Sequence, residues 1–198
     1  QLSKRIFDVI FSFIVIFGVL IPATLIFAIL IKAESRGPIF FRQRRGGIRN
    51  ETFICLKFRT MKYSSCRDEK PFRQAKKDDP RVTKVGKFLR KTSMDELPQF
   101  LNVLAGQMSV VGPRPHPLPL DKVYTPQIPK YSYRYFIKPG ITGYAQVNGL
   151  RGETRDPQKM SLRVEHDIWY IENWSLKTDL KIIWKTLNNI LQGEESVY

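Results

Sequence analysis

The 198-residue chain carries 33 Lys or Arg against 18 Asp or Glu, a net charge of +15 and a sequence pI of about 10.0. Such a surplus calls for an anionic partner: lipid headgroups, nucleic acid or phosphorylated metabolites. The length suits one domain with its own core rather than two, and two cysteines, Cys55 and Cys66, exclude a disulfide framework.

Neither cysteine sits in a C-x-x-C pair, and only His116 and His166 could join them, so a structural zinc site is not expected. Reduced thiols facing the cytosol are. The sequence starts at Gln1 rather than Met, so it is expected to be a processed chain or a piece of a longer one.

From Val9 to Ile31 no residue carries a formal charge. About 20 apolar residues cross a bilayer core as a helix, so this segment is long enough to do so. It fits a cleaved signal peptide poorly, because Asp8 stands at its start and no small-residue cleavage motif follows. Two observations complicate a simple crossing. Pro22 lies inside the run and removes a helical hydrogen bond. Basic residues also flank both ends, Lys4 and Arg5 before it and Lys32 and Arg36 after it, whereas the positive-inside rule asks for one cytoplasmic flank. A helix that enters, breaks near Pro22 and returns to the same face meets both observations. A kinked transmembrane helix is the alternative, and composition does not choose between them.

Residues 36–91 hold 18 Lys or Arg against five Asp or Glu, most of the excess charge. Ile39 to Phe41 and Thr52 to Lys62 read as strands of a hairpin, with Gly37-Pro38 and Gly46-Gly47 as turns. This hairpin would present Arg42, Arg44, Lys57 and Arg59. Residues 64–81, interrupted by Pro71 and Pro80, read as a surface loop. A basic surface of this kind also suits anionic membrane lipids, at roughly 1 kcal/mol per basic residue near the headgroups. No helix-turn-helix, zinc finger or RNA-recognition signature is present, so a nucleic-acid partner is not expected.

Amid this charge stands KFLRKTSMDELPQFLNVLAGQMS. Ser93 and Glu96 have capping-box spacing, and Met94, Leu97, Leu101 and Leu104 recur at helical spacing, with Pro98 tolerable near the start. Asp95 and Glu96 then lie in a first helical turn, where acidic residues stabilise any helix. The chemical reading is that helix N–H groups with Arg90 and Lys91 would hold Asp95 ionised and attract a phosphate. A carboxylate beside a clamped phosphate can attack phosphorus. SVVGPRPHP follows, a stiff turn that fixes Arg114, whose fork suits phosphate oxygens.

These residues carry a resemblance. RGPIFFRQRRGG, LKFRTM, DPRVTKVGKFLRKTSMDELPQFLNVLAGQMSVVGPRP, KPGITGYAQVNGLRGET and YIENWSLKTDLKII resemble the bacterial sugar transferase family, the monotopic polyprenyl-phosphate hexose-1-phosphate transferases. The likeness covers essentially the whole chain and looks closest to the C-terminal catalytic domain of undecaprenyl-phosphate glucose phosphotransferases. It implies an α+β, membrane-embedded monotopic fold with a proline-kinked re-entrant helix over residues 1–35. A cytoplasmic catalytic domain with interfacial helices over 36–198 would follow, at the bacterial inner membrane.

It also implies transfer of hexose-1-phosphate from a UDP-sugar, UDP-glucose or UDP-galactose, to undecaprenyl phosphate with release of UMP. That would be an opening membrane step of exopolysaccharide, capsule or O-antigen synthesis. Asp95 would be the nucleophile, forming a covalent phospho-sugar intermediate, and Glu96 its partner in holding Mg2+. Arg90 and Arg114 are the clamp candidates, then Lys57, Arg59, Arg42 and Arg44, with Asn148 and Arg151 in a loop that shapes substrate binding. A homodimer is compatible with the likeness. Ile21 stands before Pro22, where some members have serine, so the break lacks a hydroxyl that could take up the freed carbonyl. A non-catalytic lipid-phosphate-binding scaffold would explain the anchor and the charge, but not Asp95 and Glu96 beside Arg90 and Arg114.

In the C-terminal third, Tyr144 to Val147 reads as a short strand. Helices are expected from Met160 to Glu172 and along Leu176, Leu180, Ile183, Leu187 and Ile190. Trp169, Tyr170, Trp174 and Trp184 are the kind of residues found at headgroup level. His116 and His166 read as structural rather than catalytic.

Overall fold

The computed structural model describes residues 2–63, 74–75, 78–152 and 156–192. Most of the expected 64–81 loop, together with Cys66, lies outside these. One continuous helix opens the chain: α1 (Leu2–Val15), a π-helical turn (Ile16–Leu20) and α2 (Ile21–Glu34). Its 33 residues reach about 50 Å at 1.5 Å per residue. By length and composition it could cross a membrane. The π turn ends just before Pro22, whose ring cannot donate to the preceding turn. The Thr24 hydroxyl donates back to the Leu20 carbonyl one turn earlier at 2.7 Å, which is not the carbonyl that Pro22 leaves without an N–H.

One stripe of this helix is docked on the rest of the chain. Asp8, Ser12, Ile16, Leu20, Phe27 and Ile31 are buried, while Ile10, Phe13, Ile14, Phe17, Leu25, Ile26 and Ile29 are exposed. Both ends are fastened by polar contacts. Near the start, Lys4 donates to Asp179 at 2.7 Å and Arg5 to the carbonyls of Val103 and Leu104 at 2.6 and 2.8 Å. The buried Asp8 carboxylate accepts from Ser109 Oγ and Val110 N, each at 3.0 Å. At the far end, Arg59 donates to Ser35 Oγ, Ser35 O and Arg36 O at 2.7–2.9 Å, satisfying carbonyls that a helix C-terminus leaves bare. Phe27 packs edge-on against Phe58.

β1 (Phe40–Gly46) and β2 (Thr52–Phe58) pair antiparallel, Phe40 opposite Phe58 and Gly46 opposite Thr52. The hairpin is longer than Ile39 to Phe41 suggests, because the basic run RQRR continues the strand. Alternation splits its cations. Arg45 shares a face with Lys57, whereas Arg42 and Arg44 lie on the opposite face and are exposed. The hairpin therefore does not present its four basic residues together.

After β2 come α3 (Lys84–Lys91), capped by Thr83, a 3-10 turn (Met94–Glu96) and α4 (Gln99–Leu104). The expected capping box does not form. Ser93 adopts the left-handed region at φ 57° and makes no cap, because Glu96 is drawn into ion pairs instead. β3 (Ser109–Val111) runs parallel to β4 (Gly140–Thr142). Between them lie α5 (Leu118–Tyr124) and a 3-10 stretch (Tyr131–Phe136). Tyr144–Val147 forms a helical turn, α6, rather than a strand. The Val147 N–H bonds back to the Gly143 carbonyl, and among the described residues no strand pairs with the segment.

α7 (Pro157–Glu172) starts at an Asp156 cap and α8 (Leu176–Gln192) follows. On α8 the core receives Asp179 and Ile182. Leu176, Leu180, Trp184, Leu187 and Leu191 stay exposed, so most of the apolar stripe read from the sequence faces outward.

Candidate active site

Asp95 and Glu96 sit on the 3-10 turn between α3 and α4, 8% and 6% exposed. Glu96 is locked. Its Oε1 receives Lys57 Nζ and Arg114 Nη2, each at 2.6 Å, and its Oε2 faces Arg114 Nη1 at 3.2 Å, a two-pronged fork. Burial alone would push this carboxyl up, but Arg114 and Lys57 hold it well below the usual glutamate range. Asp95 differs. Its side chain accepts no hydrogen bond from the described residues, and its nearest cation is Lys57 Nζ at 3.9 Å. Burial raises its pKa, Lys57 offsets part of that, and the Glu96 charge adds to it. The pair therefore combines one fixed anion with one carboxylate whose oxygens are left open to a reaction partner.

Lys57 projects from β2 onto the hairpin face it shares with Arg45. Burial lowers its pKa, and the two carboxylates work in the other direction. Arg90 ends α3, where its Nε donates to Thr60 Oγ1 at 2.9 Å and its charge is felt at Asp95. Arg151 reaches across to Ser93 Oγ at 2.9 Å and bears on Glu96. Lys57, Arg90, Arg114 and Arg151 thus gather around the acidic pair.

The other expected binders are elsewhere. Arg59 is 2% exposed and turned into the end of α2. Arg42 and Arg44 point away from Lys57. Asn148 caps its own turn through the Tyr144 carbonyl and accepts from Lys185.

Behind the site stands a layer that the sequence reading passed over. The Gly112-Pro113-Arg114-Pro115 turn is held by two arginines. Arg134 Nη2 donates to Arg114 O at 2.5 Å, and Arg45 Nη1 donates to Pro115 O at 2.6 Å. Arg134 is itself ion-paired with the buried Asp167 at 2.7 Å. His116 Nδ1 lies 2.7 Å from the Tyr131 hydroxyl, which donates to Asp121 Oδ1 at 2.7 Å. One signal was readable: Arg163 and Asp167 fall on the α7 face that buries Met160 and Val164, and ions inside an apolar stripe are rarely decorative.

The bacterial sugar transferase family model matches residues 1–193. The chain belongs to the bacterial sugar transferase family. Among individual relatives of this sugar transferase, a UDP-glucose:undecaprenyl-phosphate glucose-1-phosphate transferase of Caulobacter vibrioides is 48% identical over 99% of this chain and 72% of its own length. The protein of the same name from Klebsiella pneumoniae is 50% identical over 93% of this chain and 39% of its own. A UDP-N-acetylgalactosamine-undecaprenyl-phosphate N-acetylgalactosaminephosphotransferase of Aeromonas hydrophila is 45% identical over 87% of this chain and 40% of its own. This sugar transferase chain thus spans about two fifths of the length of the latter two.

Proposed function

We propose that this protein is a phosphoglycosyl transferase that moves a hexose-1-phosphate from a UDP-sugar to undecaprenyl phosphate. The observation that carries the reading is Asp95: a buried carboxylate with no hydrogen-bond partner among the described residues, in a ring of cations, beside a carboxylate that has its own. In the first half-reaction an Asp95 oxygen attacks the sugar-side phosphorus of the diphosphate. The bond to the bridging oxygen breaks, and that oxygen leaves with UMP. In the second, a phosphate oxygen of undecaprenyl phosphate attacks the same phosphorus, the acyl-phosphate bond breaks, and Asp95 is regenerated as a carboxylate. Each attack gathers negative charge at phosphorus, and the cations around the pair are in place to receive it.

Mg2+ fits this donor set. Among the described residues no group of three or more metal-ligating side chains occurs. Mg2+ is commonly held by one or two carboxylates, with substrate phosphates and water completing the shell. Asp95 and Glu96 would hold it, and it would supply charge neutralisation to the diphosphate.

The docking of the long helix supports a monotopic seat. Its two ends are fastened to one polar body, which cannot lie on both sides of a bilayer. A helix that dips in and returns, turning where the π turn and Pro22 weaken its ladder, would keep both ends on the cytoplasmic face and give the exposed apolar residues to lipid. The exposed face of α8 would rest at the same interface, with the basic surface toward anionic headgroups. The glucose named for two of the relatives makes UDP-glucose the first donor to try.

The test is to incubate the protein with undecaprenyl phosphate, Mg2+ and UDP-glucose and identify the released nucleotide. Release of UMP, lost in Asp95→Asn, is the expected result. UDP in place of UMP would reject phosphoglycosyl transfer.

A further inference from the structure

Around His116 the protein gathers more positive charge than it neutralises. Arg134, Arg163, Arg45 and Arg114 all act on this imidazole, and after burial itself they hold it well below its ordinary range, so it is neutral. Two of these guanidinium groups have carboxylates: Arg114 has Glu96 and Arg134 has Asp167. A third, Arg45, places its two Nη atoms on the Pro115 carbonyl at 2.6 Å and Gln43 at 3.0 Å and leaves only its Nε without a partner among the described residues. Arg163 is not accounted for.

Arg163 is 4% exposed and has no carboxylate within ion-pair distance among the described residues. Its Nε has no hydrogen-bond partner among the described residues. Its Nη2 reaches the Gly152 carbonyl only at 3.4 Å, and its Nη1 lies 3.3 Å from His116 Nε2. The second contact is weak. A neutral imidazole accepts at one nitrogen only. The Tyr131 hydroxyl gives its proton to Asp121, so it accepts from His116 Nδ1, and Nε2 is left to accept from Arg163 at 3.3 Å, the longest hydrogen bond on the ring. Burial, then Arg114 and Arg134, pull the Arg163 guanidinium down to about 10. A brace between α7 and the 149–152 loop would show shorter contacts. This is a buried fork of donors waiting for an acceptor that carries charge.

The fork is next to the site already described. Arg114 is among the charges that depress it, and Gly152 follows Arg151, which reaches the turn before Asp95. We infer that Arg163 is the inner wall of a second anion subsite, which takes a phosphate group beside Arg114. Phosphate is acceptor-rich and matches a guanidinium fork. On the transfer reading above, two reactants bring such a group: the nucleotide, through the phosphate that leaves with it, and the lipid, through its terminal phosphate.

Binding separates this inference from the reaction. The full chain, in nanodiscs and without Mg2+, is titrated with UMP, with uridine and with a short-chain polyprenyl phosphate. Wild type, Arg163→Met and Arg163→Lys are compared, and each is melted with no phosphate present. Arg163→Met is expected to bind UMP at least tenfold more weakly and uridine unchanged, with Arg163→Lys recovering part of the loss. It should also melt at or above the wild-type temperature, because an uncompensated buried charge has gone. Weakening of the polyprenyl phosphate with UMP unchanged would assign the same subsite to the lipid. Unchanged binding of both anions to folded Arg163→Met overturns the inference. So does a melting temperature well below wild type, which would make Arg163 a structural brace. Absence of UMP release in the transfer assay would reject the reaction and leave these binding results standing.

Discussion

Asp95 and Glu96 are neighbours with opposite proton affinities, and the cause is how many cations each one touches. Glu96 shares two at hydrogen-bond distance, whereas Asp95 has one at 3.9 Å. Burial therefore wins at Asp95 and raises it above the ordinary value of 3.8, while Glu96 stays ionised. The sign follows. An acid with a raised folded-state pKa contributes stability below its unfolded value and loses it as pH rises through the folded value. At neutral pH the Asp95 charge is thus a liability to the fold, and Asp95→Asn should melt above wild type while losing transfer. Glu96→Gln should lower the Asp95 pKa by removing the adjacent charge and freeing Lys57, as read by infrared titration of the carboxyl. An unchanged or higher Asp95 pKa would sink that account. The acidic pair and Arg114 were picked out in the sequence by their closeness to each other in a basic chain and by the family resemblance, since Asp-Glu or Gly-Pro-Arg-Pro alone is a weak signal. The division of labour within the pair was not, since it depends on Lys57 arriving from another element.

Elements decide which of several equivalent residues reaches the site. In RQRRGG three arginines look alike, and only the pairing of Phe41 with Lys57 puts Arg45 on the face of the site. Helices α7 and α8 were legible from their periodicity, but period alone does not say which face meets the core. Asp179, bonded to Tyr170, Trp174 and Lys4, pulls the polar side of α8 inward. The short turn at Tyr144–Val147 misled because four residues carry too little period to separate strand from helix. Close approach also matters here. A Cβ on Gly86, in α3, would land on the backbone of Thr60. Gly86→Ala should therefore separate α3 from the end of β2, displace Arg90 from Thr60 and cost about 1–3 kcal/mol, as for other overpacked sites, measured by denaturant melting. A loss below about 0.5 kcal/mol would show that the contact relaxes freely.

At the scale of the molecule the long helix and the remaining elements form one body. Phe11 meets Phe100 near one end and Phe27 meets Phe58 and Phe88 near the other. The apolar run was plain in the sequence. Its docking was not, because the fastening residues lie up to 175 positions apart. In a background without native cysteines, single cysteines at Ser3 and Arg36 should both label from the cytoplasmic side with a membrane-impermeant reagent. Labelling of the two from opposite sides would reject the re-entrant seat.

The pairing of Lys4 with Asp179 also sets an order of events during synthesis. Lys4 leaves the ribosome 175 residues ahead of its partner. At about 5–20 residues per second that interval is roughly 10–35 s. Over the first part of that time the apolar helix lacks native counterparts for its buried stripe, and Asp8 has neither Ser109 nor Val110 to donate to it until about 100 further residues are made. The nascent chain must shelter that helix in lipid or with a chaperone. Conditions that slow elongation should therefore harm the yield of this protein more than its final stability would suggest.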